Sequence, residues 1–317
     1  MRLPAIQIAA YITIAMCSIL CLTAIDVDAR IWHVRPDQSG DAATIQGAID
    51  SSSVGDTILV AAGDYSIDGE ILCSHKNYLT IQGERDTSPV TVSGVADRNS
   101  ISISFSSNII LKGFVFSNCE LNASWSGPLV IEDNVFKNLS PVATEGGGNI
   151  EIRNNVIYSC GTGIYCMDYG TNIAIHNNVI AYNQGTGSYS NGCGILLDAG
   201  SFMVYNNIIT NNTSGIFSIA TTLSVSCNDV WGNQTFNYDL TYVPDPTGTN
   251  GNISLDPQFC GAAPDVSGNF FLQSDSPCAP GNHPDAVQCG LIGRYAVGCG
   301  PTTVEKKSWG KIKSMFR

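Results

Sequence analysis

"NIEIRNNVIYSCGTGIY" (149–165) returns as "TNIAIHNNVIAYNQGTG" at 171–187 and as "SFMVYNNIITNNTSGIF" at 201–217. Aligned on the residue ahead of the Val/Ile pair, the copies sit at Phe114, Asn134, Asn155, Asn178, Asn207 and Asp229. Their spacings are 20, 21, 23, 29 and 22 residues. A weaker copy, "LTIQGERDTSPVTVSG", lies at 79–94. Units of this length cannot bury an apolar face alone and must stack on one another.

Within each copy the residues ahead of the Asn alternate, which is the period of a strand. One face carries Ile109/Leu111, Leu129/Ile131, Ile150/Ile152, Ile173/Ile175 and Phe202/Val204. A second apolar pair follows (Val156/Ile157, Val179/Ile180), and then Gly-Ile at Gly163-Ile164, Gly194-Ile195 and Gly215-Ile216. Three short strands per repeat, with Asn and Gly at the corners, predict an all-β solenoid of parallel strands. Its rungs lie about 4.8 Å apart around an Ile/Val/Phe interior. Asn tolerates the left-handed backbone of a sharp corner, and amides stacked on successive rungs can hydrogen-bond in a ladder.

The chain of 317 residues is long enough for one such domain, and its 44% apolar content excludes disorder as its main state. Residues 1–29 carry one Arg, an apolar run and Val27-Asp28-Ala29. They read as a secretory signal cut after Ala29, with no membrane-spanning segment left after its removal. Export to the medium or the cell surface follows. Of 12 cysteines, 10 remain in the mature chain, an even number that suggests disulfides. The net charge is −12, of which the last 13 residues contribute +4 and the rest −16. An acidic body without a basic stripe excludes nucleic acid as a partner.

These repeats resemble the right-handed parallel β-helix of the pectin-lyase-like superfamily, whose rungs have this length and carry Asn ladders. The flanks resemble its secreted bacterial members too. "HVRPDQSGDAATIQGAIDSSSVGDTILVAAGDYS" (33–66) is similar to an N-terminal cap with a short amphipathic helix: Thr44, Ile45, Ala48 and Ile49 on one face, and Asp41 as its cap. The stretch 255–300, with Asp256-Pro257-Gln258-Phe259 and Ser276-Pro277-Cys278, resembles a closing segment. Two disulfides among Cys260, Cys278, Cys289 and Cys299 are expected to lock it over the last rung, with three pairings open. The domain plan is thus signal 1–29, N-terminal cap and first rung 30–77, solenoid 78–243, C-terminal cap 244–300 and basic tail 301–317, in a chain expected to be monomeric.

Stacking turns repeated positions into surface rows. Lys112, Glu132, Arg153, His176 and Tyr205 are expected to run along one outer face. The resemblance implies polysaccharide binding along such a face, with Lys112, Arg153 and Tyr205 as substrate contacts and Glu132, Arg153 and His176 as catalytic candidates. Asp168 and Asp198, ending strands of neighbouring rungs, are candidates for Ca²⁺, a hard ion that takes oxygen ligands; no other cofactor is expected. The stretches that mark pectinesterases, pectate lyases and polygalacturonases are absent. Two readings stand: an exported protein that binds, and as a lyase or glycoside hydrolase cleaves, polysaccharide; or a non-catalytic, adhesin-like surface module.

Overall fold

A computed structural model describes residues 28–84, 88–95, 100–138, 141–167, 172–185, 192–260 and 269–299. The segments read as a signal and as a basic tail fall almost wholly outside these residues. Three parallel sheets of nine, eight and eight strands wind into a solenoid of about eight turns. Each turn takes one strand from each sheet in order, as in Ile150–Arg153, Val156–Tyr158 and Ile164–Met167.

The alternation fills the interior as expected. Ile109, Leu111, Leu129, Ile131, Ile150, Ile152, Ile173, Ile175, Phe202 and Val204 are all buried. Burying each such side chain stabilises the fold by about 1.5–3 kcal/mol. The Gly-Ile strand starts reflect crowding: a Cβ on Gly163 would lie 2.4 Å from the Gly194 carbonyl oxygen.

The two members of each Asn-Asn pair divide the corner between them. Asn154, Asn177 and Asn206 take the left-handed turn, at φ 53°, 54° and 54°. Their successors point inward and form the ladder. Asn155 Nδ2 donates to Asn178 Oδ1 (3.1 Å) and to the Ile131 carbonyl (2.8 Å), and Asn178 Nδ2 donates to Asn207 Oδ1 (3.0 Å). The ladder continues through Asn228 and Asn252, not through Asp229. The alignment therefore slips by one residue in the last copy, where Asp229 pairs with Ile208 and occupies an apolar position of the strand. A second ladder of Asn183, Asn212 and Asn233 holds the next corner.

At the N-terminal end, helix Ile45–Ser51 buries Ile45, Ala48 and Ile49 against the first turn. Its N-cap is Thr44, whose Oγ1 accepts the Gly47 N–H at 3.0 Å. Asp41 instead accepts the His33 N–H (2.9 Å) and bonds the Arg30 guanidinium (3.0 Å), three residues too early to cap.

The C-terminal segment does more than close the end. Residues 269–299 fold back along the outer face of the second sheet. Phe270, Leu272, Cys278, Ala279 and Ile292 pack there on Val156, Tyr158, Val179, Ala181 and Ile208. Two disulfides hold the segment, Cys227–Cys289 and Cys260–Cys299. Cys278, expected among the bridged four, is a buried thiol 3.2 Å from Asp229 Oδ2, and Cys227 at the last solenoid corner takes its place. Burial also pushes the Cys73 thiol up to about 11 and Cys119 up to about 12, which leaves both inert at neutral pH.

Candidate functional site

The first sheet presents the expected row. Lys112 pairs in register with Glu132, Glu132 with Arg153, Arg153 with His176, and His176 with Tyr205. Inward residues of the same strands are core, so the pleat turns all five outward. Each is half-buried, because neighbours a rung away cover its flanks.

The groups neutralise one another. Arg153 Nε donates to Glu132 Oε2 at 2.8 Å, and its two terminal nitrogens reach Glu132 (2.6 Å) and Glu151 (3.1 Å). Lys112 Nζ lies 3.8 Å from the other Glu132 oxygen. His176 Nε2 lies 2.8 Å from Glu151 Oε1, and its Nδ1 lies 3.0 Å from Asn177 Oδ1. The imidazole stacks on Tyr205 with ring centroids 4.5 Å apart and planes 6° apart. Partial burial works to lower the Arg153 pKa, but the Glu132 and Glu151 carboxylates override it and hold the guanidinium above its ordinary value. Such an arginine binds anions and planar groups and is a poor proton acceptor. Burial raises the Tyr205 pKa, with Glu151 adding to the shift, so its hydroxyl is a neutral donor.

Two further features stand beside the row. Glu151, two residues before Arg153, bridges Arg153 and His176. The C-terminal segment forms a wall along the row's edge. Asn177 Nδ2 donates to the Leu291 carbonyl (3.1 Å), the Gly293 N–H donates to Asn206 O (2.7 Å), and Arg294 donates to Asn134 O (2.8 Å) and Asp133 O (3.2 Å). The wall was not visible locally, because it comes from far along the chain, with Leu291 lying 114 residues beyond the Asn177 it holds.

Of the second candidate pair, only Asp198 lies among the described residues. Asp198 follows Leu197, the register partner of Cys166, and its backbone N–H donates to the Cys166 carbonyl at 2.9 Å. Asp168 lies outside the described residues. Among the described residues no group of three or more His, Cys, Asp or Glu side chains is arranged to hold a metal ion.

The model of the right-handed beta helix region matches residues 71–234, just over half of the chain. The chain belongs to the right-handed β-helix family. None of the curated proteins matches it. Among solved structures, the pectate lyase Pel9A aligns at 13% identity and a TM-score of 0.44, over 85% of this chain and 96% of its own. A mutant of the PL6-family alginate lyase AlyGC aligns at 12% identity and a TM-score of 0.27, over 83% of this chain and 58% of its own. For this β-helix chain the matched stretch runs from within strand Glu70–Ser74 to just past strand Asp229–Trp231, and the caps lie beyond it. No helix among the described residues is long and apolar enough to cross a membrane.

Proposed function

We propose that this β-helix protein is an exported polysaccharide-binding protein whose glycan track is the Lys112–Glu132–Arg153–His176–Tyr205 row. One observation carries the reading: five long polar or aromatic side chains stand in register on successive rungs beside a wall built by the C-terminal segment. A guanidinium plane, a phenol and carboxylates offer a sugar chain both hydrogen bonds and a stacking face. The two disulfides suit an oxidising compartment and hence export.

Binding is favoured over cleavage. Arg153 is clasped by two carboxylates and kept protonated, both ring nitrogens of His176 are engaged by Glu151 and Asn177, and Glu132 is bound by Arg153 and Lys112, so these three candidates are tied to one another or to neighbours. Affinity electrophoresis through gels containing a panel of neutral and acidic polysaccharides tests this. At least one polysaccharide should retard the wild-type chain. Arg153→Ala and Tyr205→Ala should each reduce retardation by about tenfold in apparent affinity, the scale of a lost charged or aromatic contact. Lys137→Ala, on another sheet, should not. Absorbance near 235 nm, the signature of unsaturated sugar ends, should stay flat with and without calcium. A rise would assign lyase activity to the chain, and retardation by no polysaccharide would reject the reading.

A further inference from the structure

The corner that leads from the third sheet to the first is built differently from the other two. Ser74 pairs with Ser104, Ser104 with Ser124, and Ser124 with Glu145. His75, Phe105, Trp125 and Gly146 therefore occupy one position on four successive rungs. All four adopt left-handed backbone, at φ 57°, 48°, 52° and 61°. Glycine accepts that conformation freely, whereas the Cβ of a bulky residue crowds the neighbouring carbonyl. At its other corners the chain meets the same demand largely with Asn, as at Asn118, Asn138, Asn154, Asn177, Asn206 and Asn211.

The strain at Phe105 and Trp125 is not offset by burial, since the two residues are 58% and 61% exposed. His75 and Phe105 stack at 5.4 Å with planes 21° apart. Gly146 leaves room for the indole: a Cβ there would lie 3.0 Å from Trp125 Cε3. Tyr78, three residues past His75, is also exposed and left-handed. Among the described residues, Tyr78, Phe105 and Trp125 alone are large apolar side chains that combine exposure with left-handed backbone, and all three lie at this corner. Strained backbone carrying exposed aromatic rings serves something that the rings touch.

We propose that the His75–Phe105–Trp125 ridge is a second glycan-contact surface, taking an uncharged stretch of polysaccharide along the solenoid axis. The three positions repeat at the rung spacing of about 4.8 Å, close to the length of one pyranose; the His75 and Phe105 rings stack and the exposed Trp125 indole stands on the next rung, so a sugar chain meets an aromatic ring on each rung. Beside them the outer face of the third sheet is lined by Ser104, Asn122 and Ser124, with the Ser124 hydroxyl donating to Asn122 Oδ1 at 2.9 Å. These groups match sugar hydroxyls. Lys76, next to His75 in the chain, directs Nζ to the Asp50 and Ser52 carbonyls instead, and the exposed Glu145 carboxylate in register with Ser124 disfavours an acidic glycan. The ridge flanks the start of the first-sheet strands, and the Glu132–Arg153 row their end, so the two surfaces stand or fall separately.

Phe105→Asn and Trp125→Asn test the proposal, singly and together, because Asn suits the left-handed corner and preserves the fold. Thermal melting should leave these variants at or above the wild-type midpoint. In gels containing soluble neutral xylan the double variant should lose about tenfold or more in retardation, as expected for removing aromatic contacts. Arg153→Ala should keep its ridge-dependent retardation in the same gels. Unchanged retardation of the double variant, or no retardation of the wild type in xylan, overturns the proposal. So does a change of oligomeric state in the double variant, which would assign the ridge to self-association.

Discussion

Asn178 shows how one side chain both builds and constrains this fold. Its amide donates to the Ile152 carbonyl and Asn207, and its carbonyl accepts the Asn155 N–H at 2.9 Å, all inside the protein. Asn178→Ala strands several buried polar groups at once and should cost about 3 kcal/mol or more, read from chemical denaturation. Asn154→Gly, at the left-handed position of the same corner one rung earlier, should be nearly neutral, since that position asks mainly for left-handed backbone. Asp229 is the counterexample, a carboxyl at an apolar strand position beneath the C-terminal segment. Burial pushes its pKa up to about 7, against the Leu255 N–H and the Cys278 thiol, which favour the charged form. The folded state therefore prefers the protonated acid. Its contribution is fully present below about pH 4 and is lost as the pH rises through 7. Asp229→Asn should remove this dependence, by a few kcal/mol between pH 4 and pH 8, and thermal melts of both proteins across that range measure it. Equal pH slopes in the two proteins would contradict the assignment.

Among the elements, the strands of the first sheet were legible and the cover on the second was not. Ile150-Glu151-Ile152-Arg153 alternates, so its inner and outer faces could be assigned from sequence, and the row Lys112–Tyr205 falls in register as expected. Val156-Ile157-Tyr158, Val179-Ile180-Ala181 and Ile208-Ile209-Thr210 do not alternate and are buried on both faces. A continuous apolar run is the mark of a strand covered on two sides. Nothing in the run, however, says which distant segment supplies the cover. Cys227 was hidden for a related reason: it occupies the left-handed corner that Asn fills in other rungs, and nothing local marks it as the partner of Cys289. Breaking that bridge with Cys289→Ser should loosen the segment's hold on Val179 and Ile208. The expected loss is about 3 kcal/mol, with earlier cleavage of residues 269–299 in limited proteolysis. Proteolysis indistinguishable from wild type would contradict a tether role.

Taken whole, the molecule separates scaffold from surface. The repeated residues are the wall, and the charged row, its C-terminal flank and the aromatic ridge are the places where copies differ. Breaking the row should leave the wall intact. Arg153 is about a third exposed, and Arg153→Ala should cost no more than about 1 kcal/mol of stability while weakening polysaccharide retention. The fold was readable because stacking demands the same residues in every rung. The site was readable only as a row, since the Leu291–Arg294 flank acts through contacts that no single repeat contains. Hydroxyl-radical footprinting with the most strongly retained polysaccharide tests the central claim most directly. Bound polysaccharide should protect His176 and Tyr205 from oxidation while leaving Tyr242, exposed just past strand Tyr238–Leu240 of the third sheet, labelled as before. Unchanged labelling of His176 and Tyr205 at saturating polysaccharide would place the binding face elsewhere and contradict the account.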